Sequence, residues 1–446
     1  MHKNLVRLFS IVIVISVAIG FVGCQQKDTP VSSDGAIDEQ ETLKDEVEVS
    51  KTEELKPVKI GVQQPLTGAT AGQGLGVKDA VDLALDIINN EHPDLNFPFA
   101  KTAGLPNKNG QELAVIWGDN KGSAQDAMTE AERLISEDVV LLGSANSSGL
   151  VAAASEVAER EGIPYINELG SSPALNLRGY EWFFAIHPDD NDFADMFFDF
   201  ADFMKKQGTQ INTIALIYMN TAFGFDGAAA IKERAEKLGY EVVVELSYDN
   251  KTNNLTSEVQ KLKIVDADCV MGFSYITDGV LLIKTMRDLD YTPKMFYGQG
   301  GYNEREVTEL LGTDSDYVLL RDLYTPELGI NNEAVQKISD MFYERYGYNL
   351  GGNNARSFQM MFLIADVLNR AKSYSPEAVR TAIRETDIPA EDLFMPWNGI
   401  RFDPATGKNT LSQGIVTQIK DGKYIPVFPE SIATMEVLPF IPWSDR

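Results

Sequence analysis

Two hydrophobic rhythms alternate along the chain from residue 58 onward. Short apolar runs, many of them β-branched, stand at 58–62, 113–117, 139–143, 163–166, 213–218, 241–246, 269–273 and 294–297. Between them lie longer stretches in which apolar residues recur every three to four positions: 77–90, 123–136, 150–161, 193–207, 226–238, 255–264 and 278–289. In the first of these, Val81, Ala84, Leu85 and Ile88 share one helix face. Runs that are apolar throughout predict strands buried on both faces, and the helical stretches predict crossovers between them. The pattern predicts an α/β protein with two doubly wound, Rossmann-like lobes of about four strand–helix units each. Gly162 and Gly239 stand where two of the helices should stop. Helices are expected again at 333–346, 357–371 and 376–385, and short strands between Gly- and Asp-rich turns over 399–427. The Pro-, Gly- and Asn-rich stretch 97–110 reads as an insertion loop.

The start of the chain changes the picture. Lys3 and Arg7 precede an apolar run from Leu8 to Ile19, and Phe21-Val22-Gly23-Cys24 follows. A cationic start, a short apolar core and a small residue before a cleavage point make an export signal. The core is about a dozen residues, short of the ~20 of a membrane-spanning helix. Cys24 after Gly23 resembles a bacterial lipoprotein lipobox, with Phe21 where Leu is usual. That resemblance implies a signal peptide over 1–23, lipidation at Cys24, and an extracytoplasmic protein anchored to the cell membrane on its periplasmic side or outer face. Residues 25–56 carry ten acids, four Lys and no aromatic residue. Such a segment cannot bury enough surface to fold and reads as a disordered tether spanning roughly 30 Å.

Composition then removes function classes. With 446 residues, two domains are expected. The formal charge of −27 argues against a nucleic-acid partner, which requires a basic face, and against peripheral attachment to anionic lipid. Of the two Cys, Cys24 belongs to the signal, and Cys269 sits in an apolar strand as a packed thiol. His92 and His187 lack a zinc-type spacing partner, and neither His-Glu-x-x-His nor Gly-x-Ser-x-Gly occurs. No catalytic or metal-ligating set is expected, and no cofactor.

At the level of motifs, the stretch Val58-Lys59-Ile60-Gly61-Val62-Gln63-Gln64-Pro65-Leu66-Thr67-Gly68 resembles the opening of periplasmic binding proteins of the branched-chain amino acid family. Further segments follow in register: Trp117-Gly118-Asp119-Asn120, Gly143-Ser144-Ala145-Asn146-Ser147-Ser148-Gly149, Gly162-Ile163-Pro164-Tyr165-Ile166 and Phe223-Gly224-Phe225-Asp226-Gly227. The likeness runs over about 57–430. It implies the type I periplasmic binding fold, two lobes joined by three hinge crossovers, expected near 186–190, 297–301 and 398–405. The implied first lobe is 57–187 plus 300–400, and the second is 188–299 plus 401–440. The implied role is that of a monomeric, non-enzymatic receptor that hands a small amino acid-like ligand to the permease of an ABC importer.

An amino acid offers a carboxylate and an ammonium. Helix starts and hydroxyls suit the first, and an acidic side chain suits the second. By the resemblance, Ser147, Ser148, Gly170 and Ser171 hold the carboxylate, Asp278 pairs with the ammonium, and Phe223 forms an aromatic wall. Gln73, Tyr275 and Gln299 are expected at the pocket rim. Ser147, Ser148 and Asp278 equally suit ordinary helix caps. Gln73 replaces an aromatic residue of the family. Glu168, if it points inward, repels a ligand carboxylate or selects a cation.

Two other readings compete. Gly72-Gln73-Gly74-Leu75-Gly76-Val77 follows a strand and opens a helix, as a dinucleotide fingerprint does, but its third Gly arrives one residue early. A lipoprotein that senses the ligand for a signalling partner would use the same cleft as a transport receptor.

Overall fold

The computed structural model describes residues 55–446; the expectations for 1–23, for Cys24 and for the tether up to residue 54 lie outside the described residues. The first lobe is a parallel sheet of β1 (Val58–Gln64), β2 (Leu113–Asp119), β3 (Leu142–Gly143), β4 (Tyr165–Asn167) and β5 (Phe183–Ala185), in the order β2-β1-β3-β4-β5. The intervening helices are α1 (Ala71–Asn89), α2 (Ala124–Ser136) and α3 (Ser148–Glu161). All but one residue of β1 is buried, as a strand covered on both faces requires. α1 lies with its neighbours on one face of the sheet, and α2 pairs with α3. Side chains of α2 and α3, among them Ala131, Leu134 and Val151, pack with Leu142 and Phe183 as a core of their own. Ser123 caps α2, accepting from Asp126 N at 3.3 Å, and Gly162 ends α3 with φ 66°.

The second lobe repeats the plan. After α4 (Asp190–Lys206) come β6 (Thr213–Met219), α5 (Ala222–Leu238), β7 (Glu241–Tyr248), α6 (Thr256–Val265), β8 (Cys269–Ser274), α7 (Ile276–Asp288), β9 (Phe296–Gly300), α8 (Arg305–Leu311) and β10 (Leu319–Asp322). These strands run β7-β6-β8-β9-β10, the same order as in the first sheet counted from β6. The chain then forms α9 (Glu333–Tyr346), α10 (Gly352–Arg370), α11 (Pro376–Arg384) and a small ribbon of β11 (Asp387–Pro389) and β12 (Gly399–Arg401). α10, buried over most of its surface, packs along α1 and returns this segment to the first lobe. Antiparallel β13 (Ile415–Lys420) and β14 (Lys423–Phe428) complete the second sheet beside β10.

The chain passes between the lobes over 186–189, 323–332 and 402–414. The first and third passages run side by side: Asn409 N donates to Ala185 O at 2.8 Å, and Lys408 Nζ pairs with Asp189 at 2.8 Å. The middle crossover expected at 297–301 is displaced. Those residues fall in and just after β9, which pairs with β8, and one more helix–strand unit follows before the chain crosses. Residues 301–322 therefore belong with the second sheet rather than the first. That unit escapes the hydrophobic pattern because β10 reads Leu-Leu-Arg-Asp, a buried strand with a charged pair in it.

Other differences are local. α1 begins at Ala71, six residues before its apolar period starts, because its first turns are rich in Gly. A Cβ on Gly74 would stand 2.3 Å from the carbonyl oxygen of Pro65, so these glycines serve close helix–strand packing. The 97–110 loop is anchored by Phe97, whose ring meets Phe362 edge-on at 4.8 Å. Cys269 is fully buried, and burial pushes its thiol well up. No helix of the described residues is long and apolar enough to cross a membrane.

Candidate functional site

In both sheets the order reverses beside the first strand, between β1 and β3 and between β6 and β8. Loops leaving the carboxyl ends of strands diverge at such a point and open a crevice. Here the two crevices face each other and share one cavity of about 610 Å³, its open mouth included.

From the first lobe, Ser147 and Ser148 reach the cavity at the start of α3, and Leu169 and Ser171 from the loop after β4. Gln73 reaches it from the first turn of α1, and Asn353 and Arg356 from α10. Ser147 is extended (φ −97°, ψ 160°) and is the N-cap of α3, yet its side chain makes no capping bond. No acidic residue lies in the first turn of α3 either. The orphan N–H groups of a 14-residue helix are thus left open at the cavity. Ser148 Oγ accepts from Ser172 N at 3.2 Å and ties the two first-lobe loops together.

The second lobe contributes a wall. Phe223, in the first turn of α5, and Tyr275, the residue before α7, stack with centroids 5.7 Å apart and planes 14° apart. Arg321 of β10 lies 4.1 Å from the ring centroid of Phe193 and 5.2 Å from that of Phe223. Its guanidinium pairs with Asp190 at 2.6 Å and donates to Ser171 Oγ across the cleft at 3.2 Å. Burial pushes the Asp190 carboxyl up to about 6, against the pull of Arg321. Gln73 donates to Glu304 at 3.1 Å, and Ser172 bonds Asp226, so the lobes touch on both sides of the cavity.

Of the residues expected at the site, Ser147, Ser148, Ser171, Phe223, Gln73 and Tyr275 line the cavity together. Gly170, Asp278 and Gln299 do not. Gly170 packs against Val151 beneath the loop. Gln299 is buried in the second sheet, its amide nitrogen 3.5 Å from Met271 Sδ. Asp278 lies behind Tyr275: its carboxylate accepts from Tyr275 N at 3.0 Å and from Tyr248 Oη at 2.5 Å. It closes the start of its own helix. Glu168 is also turned away from the cavity and fully buried, accepting from Ser357 Oγ at 3.0 Å, and burial pushes its carboxyl up to about 7.

Arg321 and Arg356 were not anticipated. The signal for Arg321 is a charge inside an otherwise apolar run, which in a folded chain implies a buried group with a task, whereas Arg356 follows Gly351-Gly352-Asn353-Asn354-Ala355 and carries no such signal. Beyond the cavity lies a wider groove that shares Gln73, Asn303 and Asn353 with it and is lined by the acids Glu304, Glu306, Asp322 and Glu327.

The model of the periplasmic binding protein family matches residues 57–423. The Leu/Ile/Val-binding protein homolog 7 of Brucella suis is 27% identical over 392 residues, which covers 85% of this chain and 93% of that protein. Homolog 8 of Brucella abortus is 28% identical over 400 residues, 86% and 93% of the two chains. Among solved structures, the leucine binding protein LivK of Thermotoga maritima superposes with a TM-score of 0.69 at 19% identity, over 83% of this chain and 97% of that one. The branched-chain amino acid transporter substrate binding protein LivJ of Streptococcus pneumoniae, in complex with isoleucine, gives 0.69 at 18% identity over 86% and 100%.

Proposed function

The chain belongs to the periplasmic binding protein family, a family of extracytoplasmic substrate-binding receptors, and from that premise we propose that it captures a small amino acid or a close analogue between its two lobes and delivers it to an ABC importer. The observation that carries this reading is the single cavity at two facing switch points, lined from both lobes and opening on the bare start of α3. Ligand carboxylate binds the α3 start with Ser147, Ser148 and Ser171. The stacked pair Phe223 and Tyr275 then covers its apolar part. Groups from both lobes complete the site only when the lobes are closed, so the ligand shifts the hinge equilibrium by its differential affinity for the closed form. The Leu/Ile/Val-binding relatives support an amino acid-sized ligand. The receptor is held at the membrane by a lipid on Cys24.

The test is a thermal-shift screen on the full chain, stripped of ligand by unfolding and refolding. The panel holds the amino acids, their amides and small organic acids. A ligand at 100 times its Kd adds about 2.7 kcal/mol and moves the midpoint by several degrees. A shift confined to one chemical class supports the receptor reading; no shift with any member, from protein shown to be folded, counts against it. For the anchor, Cys24→Ser is expected to release the protein from the membrane fraction, and retention of the variant there removes the lipid from the account.

A further inference from the structure

The chemistry lining the cleft is one-sided. Two guanidiniums reach the cavity, Arg321 from the second lobe and Arg356 from the first, and both are more than nine-tenths buried, at 8% and 6% exposure. Among the described residues no Asp or Glu side chain lines it. Arg321 is matched by Asp190. Arg356 spends Nε on Gly352 O at 3.1 Å and Nη2 on Asn353 Oδ1, and among the described residues no carboxylate lies within ion-pair distance of it.

The acids around Arg356 hold other partners, although Glu168 Oε2 is buried with none of its own. Glu168 accepts from Ser357, Asp322 from Asn303 Nδ2 and Leu323 N, and Glu304 from Gln73 and Asn353. Asp322 and Glu304 face the neighbouring groove. Burial pushes Arg356 down to about 10 and Arg321 acts in the same direction, while the more distant carboxylates of Glu168, Asp322 and Glu304 pull it back up without pairing with it. Two buried cations that repel one another are relieved by an anion placed between or beside them. The open start of α3 favours the same sign of charge.

An ammonium would find no carboxylate among the described lining residues. Asp278, its expected partner, is behind Tyr275 and committed to Tyr248 and to its own helix. Among the lining amide oxygens, Asn353 Oδ1 already accepts from Arg356 and Asn303 Oδ1 from Asn353 at 3.4 Å, which leaves the neutral oxygens of Asn146 and Gln73.

We propose that the cleft selects a small organic anion, a carboxylate whose charge is not cancelled by an α-ammonium, with Arg356 and the start of α3 as its recognition groups. The inference rests on the receptor reading and sharpens it: the ligand is an amino acid analogue without the amino group.

Isothermal titration calorimetry on the ligand-stripped full chain tests it with matched pairs. The probes are 4-methylpentanoate against leucine and glutarate against glutamate, with leucinamide as the cationic control. At least one deaminated acid is expected to bind tenfold or more tightly than its amino acid twin, with leucinamide silent. Arg356→Gln is expected to weaken that acid at least tenfold, about 1.4 kcal/mol, and Arg356→Lys to recover part of the loss. Urea midpoints of the ligand-free variants separate a binding effect from a folding one. Tighter binding of leucine or glutamate than of its twin, or equal acid affinity in Arg356→Gln, overturns the inference and leaves the receptor reading standing. Silence from every probe, with protein shown to be folded, overturns both.

Discussion

α3 and α7 hold matching places in two sheets of the same strand order, one after β3 and the other after β8, yet their first turns are finished differently. α7 carries its own acid: Asp278 accepts from the backbone N–H of Tyr275, the residue that caps the helix, and from the buried Tyr248 hydroxyl. α3 has no acid in its first turn, and the Ser147 side chain makes no capping bond. A helix start exposes several N–H donors with a partial positive charge, and they must be met by a side chain, by water or by a ligand. In α7 the N-cap Tyr275 makes no side-chain cap either, but its own N–H is met by Asp278 and a carboxylate already stands at the helix start, beneath an aromatic surface. In α3 the protein leaves those N–H donors to the cleft. Two lobes of one topology are thereby divided into a half that is finished in itself and a half that waits for its ligand.

The harshest way to break this comparison is Asp278→Ala. It removes the α7 cap and the shortest of the three hydrogen bonds of the buried Tyr248 hydroxyl, so unfolding free energy should fall by about 3 kcal/mol in urea titration. Ligand affinity per folded molecule should change less than threefold, a small fraction of that loss. A large affinity loss with unchanged stability would return Asp278 to the ligand.

Giving α3 what α7 has is the converse. Ser147→Asp supplies the missing acidic cap, and stability should rise by up to about 1 kcal/mol. Carboxylate binding should fall about a hundredfold, or 2.7 kcal/mol, because the new carboxylate occupies the ligand's place. Undiminished affinity in this variant would mean that the α3 start is not the anion site.

A gentler probe uses pH. Burial pushes the Asp278 carboxyl up to about 6, above its unfolded value near 3.8. The folded state then holds the proton more tightly than the unfolded one. This group's contribution is therefore full below about pH 4 and is lost as pH rises through 6. Asp278→Asn removes the titration, and its stability between pH 4 and 7 should lose less with rising pH than the parent's, by on the order of 2 kcal/mol. Parallel curves would show that the carboxyl does not titrate there.

The smallest effect is expected for Ser148→Ala. It removes the Oγ that accepts from Ser172 N and leaves the backbone of α3 in place. Affinity for a carboxylate should drop about fivefold, near 1 kcal/mol, by calorimetry. A loss as large as that in Ser147→Asp would place the recognition in the hydroxyl rather than the helix start.

The alternation of strand and helix was readable because a strand covered on both faces must be apolar throughout. Val58–Gln64 and Cys269–Ser274 are of that kind. The unit of α8 and β10 was not readable, since Arg321 and Asp322 interrupt its strand. From that gap came the misplaced middle crossover. At the site, Ser147 and Ser148 were visible as a polar pair between a strand and a helix. Asp278 was visible as well, but with two compatible roles; sequence spacing alone does not say whether a carboxylate at the third position of a helix turns back to its own N–H or outward to a ligand.

The order of apolar runs, amphipathic stretches and turn residues determined the fold class, the two-lobe plan and the strand ends where the cleft would form, because these follow from local periodicity and from which faces must be buried. The tertiary structure alone decided which side chains meet in the cleft. Arg321 and Arg356 lie 35 residues apart in sequence, on a strand of one lobe and a helix of the other, and Asp190 comes from a third element. Charge balance in a buried site is a sum over neighbours in space, and such a sum has no counterpart along the chain.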